Sequence, residues 1–223
     1  MDSTIVEVNG IRVDVGSPKI SRIVEKGLRG GWYEDAEAKA AMVLLQDEDI
    51  VLEVGGGCGF MSAYIARLGR AARVVSVEAD PDLIPIMRET HALNDATVEI
   101  FNEILSDTSG SMYFYVCQNF LVSSCVPPVD KPHRRVSVPT SSFQARLAEW
   151  RPSLLVIDIE GGERELLRQP LPPCVDRIIV EIHEWAYGPA GVKEVMDRIS
   201  NLGFAYLPAV SHGSVLGYQR IAG

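Results

Sequence analysis

The sequence predicts an alternating α/β domain built on a mostly parallel sheet, and three features predict it. Residues 50–54, 73–78, 154–158 and 177–183 are strand-length runs rich in apolar residues, as strands covered on both faces must be. The segments between them carry apolar residues at helical spacing. The first run ends in four glycines within five positions, Gly55, Gly56, Gly57 and Gly59, directly before a helical segment. Strand, glycine turn and helix together make a nucleotide-type site, because free N–H groups at the helix start face the bend and bare backbone lets a ligand come close.

The totals set bounds on this expectation. The chain has 223 residues, 47% hydrophobic and 23% charged, which suits one sizeable core. Its net charge of −9 argues against a general phosphate-binding surface, so nucleic acid is not expected as a partner and a small molecule is. The four cysteines, Cys58, Cys117, Cys125 and Cys174, show no metal spacing and read as reduced thiols in a cytoplasmic protein. No stretch approaches the ~20 apolar residues that span a bilayer, so no membrane partner is expected.

In order, residues 4–8 and 11–15 alternate apolar and polar around Asn9-Gly10 and predict a small N-terminal hairpin. Residues 27–31 read as a glycine-rich connector, and 35–45 as an alanine-rich helix. After the glycine turn come a helix over 60–68 and the strand 73–78, closed by Glu78. Asp80-Pro81 then opens a helix to about Asn94. Residues 98–101 and 112–116 read as extended. The stretch 117–135, with Pro127, Pro128, Pro132 and the basic trio His133, Arg134 and Arg135, reads as one long loop of the kind that forms a lid. A short strand over 136–138 and a serine-capped helix over 141–150 follow. Residues 154–158 repeat the opening design, an apolar run ending in Asp158 before Glu160 and Glu163 and a helix to about Arg168. The strand 177–183 precedes a helix over 191–202. Residues 204–207 and 215–221 read as a closing antiparallel pair around Ser211-His212-Gly213.

Ligands of open parallel sheets bind at the carboxyl ends of the strands. Here those ends carry Gly55 to Gly59, Glu78, Asp158 to Glu163, and Glu181 to Glu184. A dinucleotide turn needs a third glycine where this chain has Phe60, which disfavours a nicotinamide oxidoreductase. A P-loop needs Gly-Lys-Ser/Thr after the glycines, which is absent.

Three segments carry a resemblance to the FkbM family of class I S-adenosylmethionine-dependent methyltransferases: Val51-Leu-Glu-Val-Gly-Gly-Gly-Cys-Gly-Phe, Val77-Glu-Ala-Asp-Pro, and Val156-Ile-Asp-Ile-Glu-Gly-Gly-Glu. With Glu181-Ile-His183 the likeness spans residues 33–184. The chain departs from the family in having Glu53 for Asp, Gly57 for Asn and Ala79 for Pro. The resemblance implies a Rossmann-like seven-stranded sheet with an antiparallel last strand; the chain is expected to be a single domain overall, with residues 1–45 as an N-terminal hairpin and helix extension and 46–223 as the cofactor-binding methyltransferase part. It implies S-adenosylmethionine across the glycine turn, with Glu53, Gly55 and Gly57 at its methionine part. Glu78 would hold the ribose, Ala79, Leu105 and Ser106 would flank the adenine, and Tyr33 and Glu34 would close the site. The implied reaction is O-methylation of a small-molecule hydroxyl such as a natural-product intermediate or sugar; a non-catalytic binding domain is the rival.

Asp158 is placed to touch both cofactor and acceptor, Glu160 follows it, and His183 is the candidate general base because imidazole titrates near neutrality. Asp158, Glu160, Glu181 and His183 also have the ligand chemistry of a divalent-metal site, although a metal-free site is the favoured expectation. His133, Arg134 and Arg135 are candidates for recognising an acidic acceptor group, and Trp185 and Tyr187 for an apolar wall.

Overall fold

The computed structural model describes residues 4–127 and 130–221. Residues 1–3 and Pro128 of the expected loop lie outside the described residues.

The chain opens with the hairpin β1 (Ile5–Val8) and β2 (Ile11–Asp14). Asn9 and Gly10 both take positive φ, as a two-residue turn of the type favoured in hairpins demands. Helices α1 (Arg22–Gly30) and α2 (Asp35–Leu44) follow. The glycine-rich stretch expected as a connector is therefore mostly helix. Its glycines serve packing instead: a Cβ on Gly27 would meet the Trp32 ring at 3.1 Å, and one on Gly30 would lie 2.6 Å from Trp32 Nε1.

The main sheet has seven strands in the order β11-β12-β10-β9-β3-β4-β5. They are β3 (Asp49–Val54), β4 (Ala71–Glu78), β5 (Glu99–Asn102), β9 (Leu154–Ile157), β10 (Arg177–Glu181), β11 (Phe204–Tyr206) and β12 (Val215–Arg220). β12 runs antiparallel to both its neighbours and the other pairings are parallel. The expected sheet with an antiparallel last strand is present. Strand order reverses between β3 and β9, where a crevice must open at the carboxyl ends.

Alternation along the strands divides the core. Val51, Val74, Leu154, Val156 and Ile179 face the hairpin, α1, α2 and α3 (Phe60–Arg67). Leu52, Val54, Val75, Leu155, Ile157, Ile178 and Val180 face α5 (Phe143–Trp150) and α7 (Glu184–Asn201). Burial of each such side chain stabilises the fold by about 1.5–3 kcal/mol before conformational entropy is counted. At the opposite end of the sheet from the glycine turn, Arg177 holds Asp49 through two hydrogen bonds of 2.8 and 2.9 Å, both residues 4% exposed. Ser153 Oγ donates to the same carboxylate at 2.6 Å, so the pair's hydrogen-bonding capacity is used rather than stranded.

Several local expectations change. The helix after Asp80-Pro81 forms only from Ile84, as α4 (Ile84–Leu93), because a turn closes first with Leu83 N donating to Asp80 O. The segment expected over 112–116 belongs to β7 (Gly110–Cys117), which joins β6 (Ile104–Ser106) and β8 (His133–Ser142) in a separate sheet of order β6-β8-β7. β8 includes the basic trio expected in a loop. Arg135 lies 4.2 Å over the Tyr113 ring, His133 packs edge-on to Tyr115, and Arg134 reaches Asp82 at 2.8 Å. Such cross-strand partners replace the apolar alternation by which a strand is read. The expected loop therefore shrinks, and Phe120–Val122 inside it forms a single 3-10 turn. Helix α7 begins at Glu184 rather than Gly191, broken at Gly188 (φ +64) ahead of Pro189. Among the described residues, no helix is long and apolar enough to cross a membrane.

Candidate functional site

The glycine turn leaves β3 at the point where strand order reverses. Gly55 has φ +96, and a Cβ there would fall 1.6 Å from the carbonyl oxygen of Asp158 at the end of β9. Glycine is thus required by the neighbouring strand as well as by the turn. Gly59 (φ +82) precedes α3, and its missing Cβ would sit 2.9 Å from Cα of Met87 in α4. It supplies the close packing that a dinucleotide turn assigns to the next position, which here is Phe60, wholly buried and stacked on Tyr64.

Above the turn lies a cleft of about 860 Å³, within the ~300–1,000 Å³ range of ligand sites. Its lining contains Tyr33, Glu34, Gly55, Gly57, Glu78, Ala79, Leu105, Ser106, Asp158 and Glu160 of the expected site. Two expected residues are set back from it. Glu53 is 2% exposed and accepts a hydrogen bond from Ser76 Oγ, so it props the turn from beneath. His183 is 6% exposed and stands behind Asp158 and Glu160.

Glu78 closes β4 with its carboxylate turned back to the glycines. Oε2 accepts from Gly57 N at 2.9 Å and Oε1 from Asp80 N at 2.7 Å. Burial pushes its pKa up to about 7, although those two N–H groups favour the charged form. Glu53 is likewise pushed up to about 7 by burial, against its bonds from Ser76 and Ser62. Asp80, buried, is held by Lys19 at 2.6 Å.

Around His183 the acids gather. Its Nδ1 lies 3.0 Å from Glu163 Oε1, which also accepts from the N–H groups of Ile159 and Gly161 at 3.2 Å each. Nε2 lies 3.3 Å from Glu160 Oε2, 3.5 Å from Asp158 Oδ1 and 3.7 Å from Glu181 Oε2. Burial and the charges of Glu181 and Glu160 hold the Asp158 carboxyl well above its ordinary range, and burial with Glu181 pushes Glu160 up to about 8. Burial works against a charged His183, but Glu163, Asp158 and Glu181 outweigh it and leave its pKa raised. Glu34 and Glu160 both take left-handed backbone (φ +49 and +51), an unfavourable conformation for glutamate that places strain at two points of the cleft lining.

Sequence reasoning missed other parts of this site. Glu37 in α2 is buried close enough to Glu181 and His183 to feel their charges, and burial pushes it up to about 7. Phe120 and Leu121 add apolar wall from a segment whose pattern is irregular, and Lys131 and Arg168 are cationic lining residues. No spacing rule in the sequence marks these five. The basic trio, by contrast, does not line the cleft, because its side chains are spent on β7 and Asp82. Trp185 lines it, whereas the Tyr187 hydroxyl accepts from His183 N at 2.8 Å.

Comparison with known proteins agrees with this arrangement. A ribosomal protein L11 methyltransferase of Geobacter metallireducens is 37% identical over 76 residues, 34% of this chain and 25% of that protein. A ribosomal RNA small subunit methyltransferase A of Rubrobacter xylanophilus is 40% identical over 65 residues, 29% of this chain and 24% of that protein. The matched part thus spans about a quarter of each relative. The crystal structure of precorrin-6y C5,15-methyltransferase from G. metallireducens superposes with a TM-score of 0.51 at 12% identity, covering 84% of this chain and 88% of that one, and so shares the fold. The exclusion of nucleic acid drawn from net charge is corrected here: relatives named for ribosomal RNA and ribosomal protein show that an acidic total does not rule out a macromolecular acceptor. A local surface, not the sum of charges, meets an acceptor. The Methyltransferase FkbM domain matches residues 49–206, from the start of β3 to the end of β11, and with the glycine turn, Glu78 and the Asp158 signature meeting at one crevice, the chain belongs to the FkbM family of methyltransferases.

Proposed function

We propose that this chain transfers the methyl group of S-adenosylmethionine to a hydroxyl oxygen of an acceptor held over Asp158. The observation that carries the reading is the meeting of Gly55, Gly57, Glu78 and Asp158 on one cleft. The residues suit a cationic cofactor, since Oε2 of Glu34, in the cleft lining, is buried without a hydrogen-bond partner among the described residues. When bound, the cofactor supplies an electrophilic methyl on a sulfonium.

The chain's own contribution is alignment and proton handling, which is what an in-line displacement requires. Glu78 would orient the ribose hydroxyls, with Ala79, Leu105 and Ser106 beside the base. Tyr33, its phenol kept protonated by burial and the acids near it, would shield the turn on the N-terminal side. Asp158 and Glu160 would position the acceptor hydroxyl, and the group they form with His183 would receive its proton. Phe120, Leu121 and Trp185 give the acceptor an apolar wall. Natural-product hydroxyls and sugars form the first acceptor class to assay, and ribosomal RNA and ribosomal protein the second. With all four cysteines free, we place the protein in the cytoplasm.

Release of S-adenosylhomocysteine from S-adenosylmethionine, measured with both acceptor classes, tests the proposal. Acceptor-dependent release supports it. Tight cofactor binding with no release from any acceptor would favour a binding domain of the same fold.

A further inference from the structure

The hydrogen bonds of His183 fix more than its orientation. Glu163 Oε1 already accepts two backbone N–H groups, so it can face Nδ1 only as an acceptor, and Nδ1 must carry a proton. In the neutral ring Nε2 then presents a lone pair. Nε2 stands 3.3, 3.5 and 3.7 Å from three carboxylate oxygens, none of them in hydrogen-bond geometry with it among the described residues. Lone pair against carboxylate is repulsive unless a positive centre lies between them.

A proton is one such centre, but an N–H donor to carboxylate normally closes to about 2.7–2.9 Å on one partner. Here all three are longer and none is preferred. Neighbouring ligands on a cation, at right angles with bonds of about 2.1–2.6 Å, stand about 3.0–3.7 Å apart, which is the spacing observed. One oxygen each from Asp158 and Glu160 and one nitrogen from His183 lie within 4.8 Å of one another. Within that cluster, Asp158 Oδ1, one of the atoms near Nε2, is closed to water and has no hydrogen-bond partner among the described residues. His183 is itself 6% exposed.

Resting on the methyltransferase reading for its purpose, we infer that Asp158, Glu160 and His183 bind one divalent cation at the floor of the cleft. Glu181 is within reach as a fourth ligand. Glu163 has the relation to His183 that carboxylates have to metal-bound imidazoles, accepting from the ring nitrogen that faces away and so fixing the tautomer. Carboxylates with one imidazole suit cations of the magnesium and manganese class, with zinc and ferrous iron as softer competitors. Asp158 and Glu160 line the cleft, so the ion's open positions face the acceptor. An acceptor hydroxyl bound there is held and acidified together, and its proton passes to the second carboxylate oxygen of Asp158 or Glu160, because Nε2 is occupied as a ligand.

Mn2+ is the probe. Titration of the intact chain, followed by the loss of the free Mn2+ electron-spin signal, is compared with titration of Glu160→Gln and His183→Gln, with Glu165→Gln as a cleft acid outside the cluster. S-adenosylhomocysteine binding is measured calorimetrically on the same samples. The expected result is one saturable Mn2+ per chain, weakened at least tenfold in Glu160→Gln and His183→Gln and unchanged in Glu165→Gln, with cofactor-product affinity preserved in Glu160→Gln. No saturable Mn2+ up to about 1 mM, or equal affinity in the Glu160 variant, overturns the cation site, and retained S-adenosylhomocysteine binding then leaves the methyltransferase reading standing. Mn2+ binding of the expected pattern without S-adenosylhomocysteine binding upholds the cation and sinks the cofactor reading.

Discussion

Gly55 and Asp158 are in contact through backbone alone: a Cβ on the glycine would lie 1.6 Å from the aspartate's carbonyl oxygen. The turn after β3 and the acid after β9 therefore fit only as a pair, and the cofactor turn cannot be altered without moving the strand that carries the acid.

The Gly55→Ala variant is expected to lose measurable S-adenosylhomocysteine binding and to lower the melting temperature. Alanine at φ +96 is strained and cannot occupy the space of a carbonyl oxygen. Calorimetry and thermal unfolding check this, and wild-type affinity in the variant would contradict it.

Replacing His183 with Ala should abolish turnover while S-adenosylhomocysteine affinity stays within about threefold, because His183 stands behind the acceptor end and does not line the cleft. Single-turnover methyl transfer is the check. Unchanged turnover would remove His183 from the reaction.

Stability should fall as pH rises from about 6.5 to 8. Glu37, Glu53 and Glu78 titrate near 7 when folded, and Glu160 near 8, all raised chiefly by burial from an ordinary 4.5. Above 4.5 the unfolded chain has released protons that the native state still holds, so each rise in pH favours unfolding until the folded groups have titrated. His183, also raised, acts in the same direction above 6.5. His91 opposes it at lower pH: burial depresses it to about 4, so its contribution grows between 4 and 6.5 and is complete thereafter. Melting temperatures at pH 6.5, 7.25 and 8 should descend by several degrees, less so with S-adenosylmethionine bound, whose cationic groups favour the ionised acids. A flat or rising series would contradict the raised pKa of these buried carboxyls.

Asp49→Ala takes two hydrogen bonds and the buried counter-charge from the Arg177 guanidinium, leaving it the Leu44 carbonyl and the half-exposed Asp176 carboxylate. Removing one partner of such a buried pair costs about 3–5 kcal/mol. Urea unfolding should show a loss of this size with the cleft at the other end of the sheet unaffected at low temperature. A loss under 1 kcal/mol would contradict this and show that the Asp176 carboxylate alone holds the charge.

The sheet was legible because strands buried on both faces leave continuous apolar runs, and those four runs are β3, β4, β9 and β10. The side sheet was legible only in part: the centres of β7 and β8 read as extended over 112–116 and 136–138, but their full length and pairing did not, because Arg135 on Tyr113 and His133 on Tyr115 are pairs that leave no period in the sequence. The cleft's glycines and Glu78 were marked by local spacing. Glu37 was hidden by its place in an ordinary alanine-rich helix, and its position near His183 comes from α2 packing on β10. Glu53 shows the limit of motif reading: its position in the turn motif is plain, but its carboxylate is turned inward to Ser76.

The central claim is that the cleft above Gly55 to Gly59 holds S-adenosylmethionine with Glu78 on its ribose, and equilibrium binding by calorimetry tests it most directly. Wild type should bind one S-adenosylmethionine per chain and no NADH, and Glu78→Ala should weaken binding at least tenfold, the loss of a hydrogen bond to a charged group being about 1.5–3 kcal/mol. Circular dichroism of the variant controls for folding. No binding of S-adenosylmethionine by wild type, or undiminished binding by a folded Glu78→Ala, would contradict the account.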